Sequence, residues 1–362
     1  MFPGVKNLIE DGGCLMLKND NFLKACRREP VDCTPVWIMR QAGRYMKEYR
    51  DIRKKVDFLT MCKTPDLAAE VTLLPVDILG VDAAILFSDI LIPVEAMGIG
   101  VRFTEKKGPI LSNPVRSEFE LNALLTPDSV KSEEMMPFIP QAIRLILQEL
   151  DGRVPLIGFS GAPFTLATYM IEGETSRNFT WIKRIMYTDA ALLHRLLEKI
   201  TTTVIHYLNM QIKAGVHAVQ LFDTWAGWLS PDDYREFALP YVEKVIKGID
   251  KKGCPVILFA NGVSGILEQM VDSGADVIGL DWRIDMGDAV RRSGNRVALQ
   301  GNLDPCVLYG EPSVIRRHAK DIIDKYGDGP GHIFNLGHGI LPDIPVDHAK
   351  ALVDIVHEES SS

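Results

Sequence analysis

Two arginines follow a short apolar run in the first part of the chain. The run occupies residues 35–39, and Arg40 and Arg44 then flank the small residues Ala42 and Gly43. Planar guanidinium groups bind carboxylates through paired hydrogen bonds, and small residues between them would let a ligand approach both. Solvated charges or surface ion pairs are the alternative. The spacing favours a clamp for an anionic ligand.

A carboxylate ends the next apolar run. Asp89 follows the sequence AAILFS, which would place its side chain at the edge of an apolar wall. A single carboxylate in such a pocket can accept hydrogen bonds from N–H groups and stabilise a developing positive charge. Capping of a following helix is the alternative role, although Pro93 comes soon afterwards and weakens it. We interpret Asp89 as a candidate for stabilising a cation.

Three further polar residues follow apolar runs later in the chain. His338 lies between Gly337 and Gly339, which would allow a ligand to approach closely. Tyr169 falls in a helical pattern after another run, and Thr224 supplies a hydroxyl group at the end of a third. The alternatives are a structural turn for His338, a core position for Tyr169 and a loop hydrogen bond for Thr224. Both roles stay open for each residue.

The sequence does not favour a catalytic metal or a serine nucleophile. Catalytic zinc needs three His, Cys or carboxylate ligands, commonly with closely spaced pairs, and no such pair stands at the ends of the runs. His332 and His338 are six residues apart on one predicted strand, which puts them at its opposite ends. Ser160 lies in GFSGAP, where Ala162 replaces the last glycine of the serine-hydrolase motif.

Six cysteines are scattered along the chain, and no two of them form a CxxC pair. Isolated cysteines in a long chain are usually reduced and packed as small apolar residues. We expect this state for Cys14, Cys26, Cys33, Cys62, Cys254 and Cys306.

Eight short apolar runs provide the elements that would position these side chains. Runs that are apolar throughout, instead of alternating, are typical of strands buried on both faces of a parallel sheet. Helical patterns lie between them, as at 189–215, which ends at Gly215, and at 264–274, which begins at Ser264 and ends at Gly274. The runs occupy residues 35–40, 83–89, 155–161, 218–224, 255–261, 277–282, 297–302 and 333–339.

The alternation of strands and helices predicts an α/β fold and, more specifically, a (β/α)8 TIM barrel. A doubly wound open sheet is the alternative, but no glycine-rich GxGxxG turn follows any strand. We predict a single domain over residues 1–362, with a polar, proline-containing insertion around 93–150. Catalytic residues of such barrels lie at the carboxyl ends of the strands, where the side chains described above would meet.

The composition of the chain argues against some classes of binding partner. The chain is 46% hydrophobic, so it can bury a large core, and its net charge of -8 argues against a nucleic-acid ligand. No stretch reaches the roughly 18 apolar residues that a membrane span needs. The first 22 residues lack the pattern of a secretory or transit peptide. We therefore expect a cytoplasmic protein, or the mature form of an organelle protein.

Several longer segments resemble one enzyme family. PVWIMRQAGRYMKEYR from residue 35 and IGFSGAPFTLATYMIEG from residue 157 resemble the two signatures of the uroporphyrinogen decarboxylases. The blocks LFSDIL, QLFDTWAGWLSP, GLDW, QGNLDP and NLGHGILP match further family segments in the same order. The resemblance begins at about residue 20 and covers nearly all of the chain after it. It implies a (β/α)8 barrel, usually paired as a homodimer, that needs neither a cofactor nor a metal.

The resemblance also implies a reaction and its residues. The reaction is removal of CO2 from the four acetate side chains of uroporphyrinogen III, which gives coproporphyrinogen III. Carried over position by position, the catalytic residues are Asp89, Arg40, Tyr169 and His338, and the substrate-binding residues are these four together with Arg44, Arg53 and Thr224. Some relatives have serine at the position of Thr224, which keeps the hydroxyl group.

The implied chemistry suits these residue types. Loss of CO2 from an acetate leaves an unstabilised carbanion unless an electron sink is available. A protonated pyrrole can act as that sink, and we expect Asp89 to bond the pyrrole N–H groups and stabilise the cation. The donor of the first proton stays open, because arginine has a pKa above about 12 and Asp89 could donate only if burial raised its pKa strongly.

Two alternatives belong to other classes of protein. Cobalamin-associated methyltransferases resemble the decarboxylases in fold but use zinc, typically held by an HxC pair and a further cysteine. This chain has PVILFANG where the pair is expected, and Cys254 stands at the wrong end of that strand. A tetrapyrrole carrier that binds without turnover is the second alternative, and it would tolerate Asp89→Asn.

Overall fold

The structure, a computed structural model, describes residues 17–104, 108–126 and 129–361 of the 362-residue chain. Within these ranges, seven parallel strands form one sheet in the order β1-β4-β5-β6-β7-β8-β9, and β2 pairs with β3 in a separate antiparallel hairpin. The strands are β1 (Ala84–Ile85), β2 (Val101–Thr104), β3 (Gly108–Leu111), β4 (Leu156–Gly161), β5 (Ala218–Asp223), β6 (Val256–Ala260), β7 (Val277–Gly279), β8 (Ala298–Gln300) and β9 (His332–Ile333).

Helices connect and surround the parallel strands. Those in the described ranges are α1 (Asn21–Cys26), α2 (Lys47–Arg53), α3 (Phe58–Lys63), α4 (Pro65–Leu79), α5 (Ile92–Ala96), α6 (Glu118–Ala123), α7 (Ser129–Met135), α8 (Phe138–Leu150), α9 (Pro163–Glu172), α10 (Thr180–Thr188), α11 (Ala190–Ala214), α12 (Pro231–Phe237), α13 (Leu239–Gly248), α14 (Leu267–Asp272), α15 (Met286–Ser293), α16 (Pro312–Tyr326) and α17 (Val346–Ser360). Single 3-10 turns follow β5, β6 and β8. No helix in the described part of the chain combines the length and hydropathy needed to cross a membrane.

Alternate residues of the parallel strands belong to two separate apolar clusters. One cluster contains Ile157, Ala218 and Ile257, and α1 contributes Phe22 to it. The intervening residues, such as Val219, pack in the larger cluster with the helices. Burying an isoleucine side chain stabilises the fold by roughly 1.5–3 kcal/mol, so both faces hold the sheet in place. This double burial explains why the strand sequences are apolar throughout.

Residues 35–38 lie beside both edges of the seven-stranded sheet. Val36 forms a parallel bridge with Phe334, directly after β9. On its other side, Val36 O accepts a hydrogen bond from Asp82 N (2.8 Å), and Val36 N donates to Asp82 Oδ2 (2.7 Å). The segment predicted as a strand at 35–40 is therefore extended and forms one bridge, but it is not a regular strand. The Asp82 side chain takes the place of a backbone hydrogen-bond partner on one side.

The other seven predicted strands each contain or overlap an observed one, although several are shorter than predicted. The parallel α/β architecture is thus confirmed. The long helix predicted at 189–215 is α11, with the Asp189 side chain accepting a hydrogen bond from Leu192 N and Gly215 at φ +113°. The helix predicted from Ser264 is wrong at its start: a 3-10 turn spans Val263–Gly265, and α14 begins only at Leu267.

Candidate active site at the carboxyl ends of the strands

The turn that carries Arg40 is held by a buried glutamine. The Gln41 side chain accepts a hydrogen bond from Ile38 N and donates one to Ala83 O, both at 3.1 Å. Arg40 has a φ of 62°, in the left-handed region, and it is exposed. The turn therefore directs the Arg40 side chain away from the core, at the end of the extended segment.

Gly339 provides the surface along which the Arg40 side chain runs. A Cβ atom at Gly339 would lie 2.4 Å from Arg40 Cδ and 2.9 Å from its Nε. The neighbouring backbone is fixed by a hydrogen bond from Ile340 N to Met39 O (2.9 Å). Only a residue without a side chain leaves this path open to the arginine.

Asp89 lies in the turn between β1 and α5. Its carboxylate accepts a hydrogen bond from Leu91 N (2.8 Å), so it does support the chain just before a helix, as the alternative interpretation expected. Burial nevertheless raises the pKa of Asp89 to about 6, against the opposing effects of this hydrogen bond and of Arg40. Asp89 thus combines a structural bond with a desolvated carboxylate beside a cation.

Tyr169 projects from α9 toward the same pair. Burial and the charge of Asp89 raise the pKa of Tyr169 to about 12, whereas Arg40 acts in the opposite direction. The phenol is therefore neutral at physiological pH and lies within electrostatic reach of both groups. Its ring packs edge-on against Trp225, with centroids 5.8 Å apart.

Thr224 is half-buried in the loop after β5, next to Trp225. Thr165 of α9 fixes the loop on both sides: its hydroxyl donates to Asp223 Oδ1 (2.7 Å) and accepts from Trp225 N (3.1 Å). These bonds hold Thr224 close to the Tyr169 helix. Its own role in binding stays a prediction.

A cleft of about 500 Å³ opens at the carboxyl ends of the strands. It is lined by Gly227, Trp228, Asn261, Trp282, Arg283 and His338, from the loops after β5, β6, β7 and β9. Two glycines let these loops touch: a Cβ atom at Gly227 would lie 1.9 Å from Asn261 O, and one at Gly337 would lie 2.4 Å from Trp282 N.

His338 connects this cleft with the Arg40 group. Burial, together with the positive charges of Arg40 and Arg283, lowers the pKa of His338 to about 4, whereas Asp281 acts in the opposite direction. The imidazole is therefore uncharged near pH 7 and can exchange a hydrogen bond with a ligand without carrying charge. Arg40 thus acts electrostatically on Asp89, Tyr169 and His338.

Arg44 and Arg53 lie beside this group instead of within it. Both charges act on Tyr49 of α2, whose pKa is raised by burial and lowered by the two arginines. Arg53 donates to Val56 O (2.6 Å), and Arg44 is exposed. Across the residues that the structure describes, no hydrogen bond or ion pair joins either arginine to Asp89, so their contact with a ligand stays a prediction.

Other polar residues at the strand ends have structural contacts. The buried Ser160 hydroxyl donates to Gly161 O (3.0 Å), which does not suit a nucleophile. Asn302 donates to Asp281 O (2.9 Å) and Ile284 O (2.7 Å) and so fixes the loop after β7. Asp223 is buried, and burial raises its pKa to about 6.

Sequence reasoning missed several residues of this site. Gln41 and Gly339 act on Arg40 through backbone and side-chain contacts that no local pattern reveals. Trp228, Trp282 and Arg283 line the cleft. One available signal was position, because Trp282 ends the predicted run at 277–282 and Arg283 follows it directly.

The cysteines differ partly from the expectation. Cys26, Cys62 and Cys254 are buried and free, whereas Cys33 is free but only half-buried, and Cys306 is exposed, because it lies in a 3-10 turn at the surface. Cys14 lies outside the described residues. Within the described ranges, no three His, Cys, Asp or Glu side chains form a group that could hold a metal ion.

Comparison with known proteins identifies the family. The model of the family described as uroporphyrinogen decarboxylase (URO-D) matches residues 17–359. The chain belongs to this family. Uroporphyrinogen decarboxylase of Carboxydothermus hydrogenoformans is 53% identical over 343 residues, which are 95% of this chain and 97% of the relative. The enzyme of the same name from Chloroherpeton thalassium is 51% identical over 350 residues, covering 95% of this chain and 98% of the relative.

Solved structures show the same architecture at lower identity. A methyltransferase from Methanosarcina mazei superposes with a TM-score of 0.81 at 23% identity, over 95% of this chain and 99% of that one. A protein described as a putative vitamin-B12-independent methionine synthase from Listeria monocytogenes gives 0.58 at 11% identity, over 91% and 98%. At these identities the likeness concerns the fold alone, and the uroporphyrinogen decarboxylase family rests on the sequence matches.

Proposed function

We propose that this chain removes CO2 from the four acetate side chains of uroporphyrinogen III and produces coproporphyrinogen III. The observation that carries the proposal is the desolvated carboxylate of Asp89, within electrostatic reach of Arg40 and Tyr169 at the strand ends of a uroporphyrinogen decarboxylase family member. The substrate supplies the electron sink: protonation of a pyrrole carbon makes a cation that accepts the electron pair as CO2 leaves. A second protonation then gives the methyl group, and loss of the first proton from the ring carbon restores the aromatic pyrrole.

Asp89 is suited to stabilise this cation. A pKa of about 6 leaves roughly nine-tenths of the carboxylate ionised at pH 7. The ionised form accepts hydrogen bonds from pyrrole N–H groups, and its charge opposes that of the cation in a site of low polarity. Only the minor protonated fraction of Asp89 could deliver a proton, so we assign the residue an electrostatic role.

Two kinds of group would bind the carboxylates of the substrate: charged arginines and neutral hydrogen-bond donors. Arg40, Arg44 and Arg53 supply charge, and Arg40 is the one beside Asp89. The hydroxyl groups of Tyr169 and Thr224 and the imidazole of His338 would donate hydrogen bonds without charge. The pKa values of about 12 for Tyr169 and about 4 for His338 keep both groups neutral at working pH.

The proposal includes a complete (β/α)8 barrel in a single domain of residues 1–362, in which the extended segment at residues 35–38 takes the place of an eighth strand. The bridge of Val36 to Phe334 and its bonds to Asp82 support closure. A homodimer over the clefts and a cytoplasmic location belong to the same proposal. The homodimer rests on the family resemblance, the location on composition.

The decisive experiment is turnover by the purified, chelator-treated protein. We would incubate it anaerobically with uroporphyrinogen III, oxidise the products and separate the porphyrins by their number of carboxylates. We expect progressive conversion from eight carboxylates to four, and a loss of at least roughly a hundredfold in rate for Asp89→Asn.

Two outcomes would contradict the proposal. If a folded protein binds the porphyrinogen but removes no carboxylate, the carrier alternative gains support. If turnover appears only as methyl transfer after zinc is added, the decarboxylase assignment is wrong.

A further inference from the structure

Arg283 is a second cation at the cleft, separate from the arginines around residues 35–53. It follows β7 and lines the cleft together with His338 and Asn261. The resemblance to the family does not assign it a role. Its place among the lining residues raises the question of which ligand group it meets.

A buried carboxylate orients the Arg283 guanidinium. Asp281 is fully buried and accepts hydrogen bonds from Gly262 N (2.9 Å) and from Arg283 Nε (2.5 Å). Arg283 Nη2 lies 2.5 Å from the same oxygen. One edge of the guanidinium is thus occupied, which leaves Nη1 free of any bond that the described residues show. The Arg283 side chain remains 53% exposed.

The position of Arg283 in the cleft suits an anion. Its guanidinium lies 5.3 Å from the ring centroid of Trp282, which limits the directions it can take. The positive charge of Arg283 lowers the pKa of His338, as that of Arg40 does. Arg40 and Arg283 act on this uncharged imidazole against the charge of Asp281, and the edge of the Arg283 guanidinium that no described residue bonds makes this part of an acidic protein favourable for a carboxylate. Asp89, by contrast, has Arg40 as its neighbouring cation.

We propose that Arg283 binds a propionate carboxylate of the macrocycle at the rim of the cleft. This inference rests on the proposed function. The reacting acetate has to lie at Asp89, whereas Arg283 is half-exposed and acts on His338. Propionates persist through all four decarboxylations, so a cation at the rim would hold the macrocycle in every step.

Coproporphyrinogen III tests this binding without turnover, because all of its carboxylates are propionates. We would titrate it anaerobically into wild type, Arg283→Lys and Arg283→Gln, following the fluorescence of the tryptophans, two of which line the cleft. We expect the Kd to rise roughly tenfold for Arg283→Gln and less for Arg283→Lys, as for loss of one charged hydrogen bond. Arg296→Gln is the matched control, since Arg296 pairs with exposed Asp272 away from the cleft.

A structural effect can be separated from a binding effect. Arg283→Gln leaves the buried Asp281 carboxylate without its cation, which would lower the melting temperature. The double variant Asp281→Asn/Arg283→Gln removes that unpaired charge. If its melting temperature recovers while the Kd stays raised, the proposal holds; if the Kd recovers as well, Arg283 acts through the fold and the proposal is wrong.

Steady-state kinetics show whether Arg283 binds a propionate or an acetate of the substrate. We expect Arg283→Gln to raise the KM by a similar factor for uroporphyrinogen III and for the five-carboxylate intermediate, with kcat little changed. An increase confined to the eight-carboxylate substrate would assign Arg283 to an acetate and overturn the proposal. A wild type that binds coproporphyrinogen III but releases no CO2 from uroporphyrinogen III would refute the proposed function while leaving the binding result interpretable.

Discussion

At the scale of single residues, Asp89 changes its charge within the pH range in which the reaction can be measured. Burial raises its pKa to about 6, so the ionised form costs free energy in the folded protein. Burial also favours the neutral forms of Tyr169 and His338, whose pKa values of about 12 and about 4 keep both neutral through this range. The pH dependence of the strand ends between about pH 5 and 8 should therefore follow Asp89 and the buried Asp223, whose pKa is also about 6.

The pH profile gives the first residue-scale prediction. Because the ionised carboxylate stabilises the cation, kcat/KM should fall as the pH decreases through about 6, by nearly tenfold for each further unit. Initial rates at saturating and low substrate between pH 5 and 8 measure it. A profile that stays flat down to pH 5 would exclude a catalytic role for the ionised Asp89.

The same carboxylate predicts an opposite effect on stability. A folded pKa above the unfolded value means that the carboxyl stabilises the fold below about pH 4 and that this contribution is lost as the pH rises through 6. Asp89→Asn keeps the acceptor for Leu91 N but removes the buried charge. We expect its melting temperature at pH 8 to equal or exceed that of wild type, while activity is lost. A lower melting temperature would mean that the carboxylate is needed for folding.

At the scale of elements, the turn at residues 38–41 and the segment after β9 position each other. Gln41 fixes the turn to Ala83, and Gly339 leaves room for the Arg40 side chain. The two segments are about 300 residues apart in the chain, and the parallel bridge of Val36 to Phe334 brings them together. The position of Arg40 thus depends on the bridge between Val36 and Phe334.

Gly339→Ala tests this dependence. A Cβ atom 2.4 Å from Arg40 Cδ has to displace the arginine, so we expect kcat/KM to fall roughly tenfold to a hundredfold with little loss of stability. Steady-state kinetics and thermal unfolding measure the two effects. Gly329→Ala is the matched control, because a Cβ atom there would meet nothing within 4 Å. Equal activity of the two variants would contradict the proposed path of Arg40.

At the scale of the whole molecule, one buried carboxylate joins four parts of the chain. Asp82 precedes β1 and accepts hydrogen bonds from Val36 N and Asn19 Nδ2 (2.8 Å). His357 of α17 lies 2.7 Å from the same carboxylate. The amino-terminal end of the sheet, opposite the cleft, is therefore held by a polar contact between the first described residues and the last helix.

His357 predicts a pH-dependent stability. Its bond to Asp82 raises the pKa of His357 above the ordinary value of 6.5, so this stabilisation is complete below that value and is lost as the pH rises through the folded pKa. His357→Gln should lower the free energy of unfolding by about 1 kcal/mol at pH 5.5 and by less at pH 8.5. Urea unfolding at both pH values measures the difference. His318→Gln, on the exposed face of α16, is the control; an equal loss at both pH values would show that the charge of His357 does not matter.

Much of the architecture could be predicted because it follows from local patterns. Continuous apolar runs indicated the parallel strands, and Asp189 and Gly215 marked the limits of α11. The segment at 35–38 could not be predicted correctly, since whether it pairs as a regular strand depends on Asp82, which is distant in sequence. The start of α14 was missed for a similar reason: Gly262 N bonds to Asp281, and a 3-10 turn comes before the helix.

The sequence by itself determined the family, the order of strands and helices, and the residue types at the strand ends. It did so because apolar periodicity, caps and family motifs are properties of neighbouring residues. Only the tertiary structure decided that Arg40 acts on Asp89, Tyr169 and His338, and that Arg283 lines a cleft with His338. The burial and the electrostatic effects at these positions come from residues of several loops that are far apart in the sequence. The distances between those residues are set only when the sheet forms.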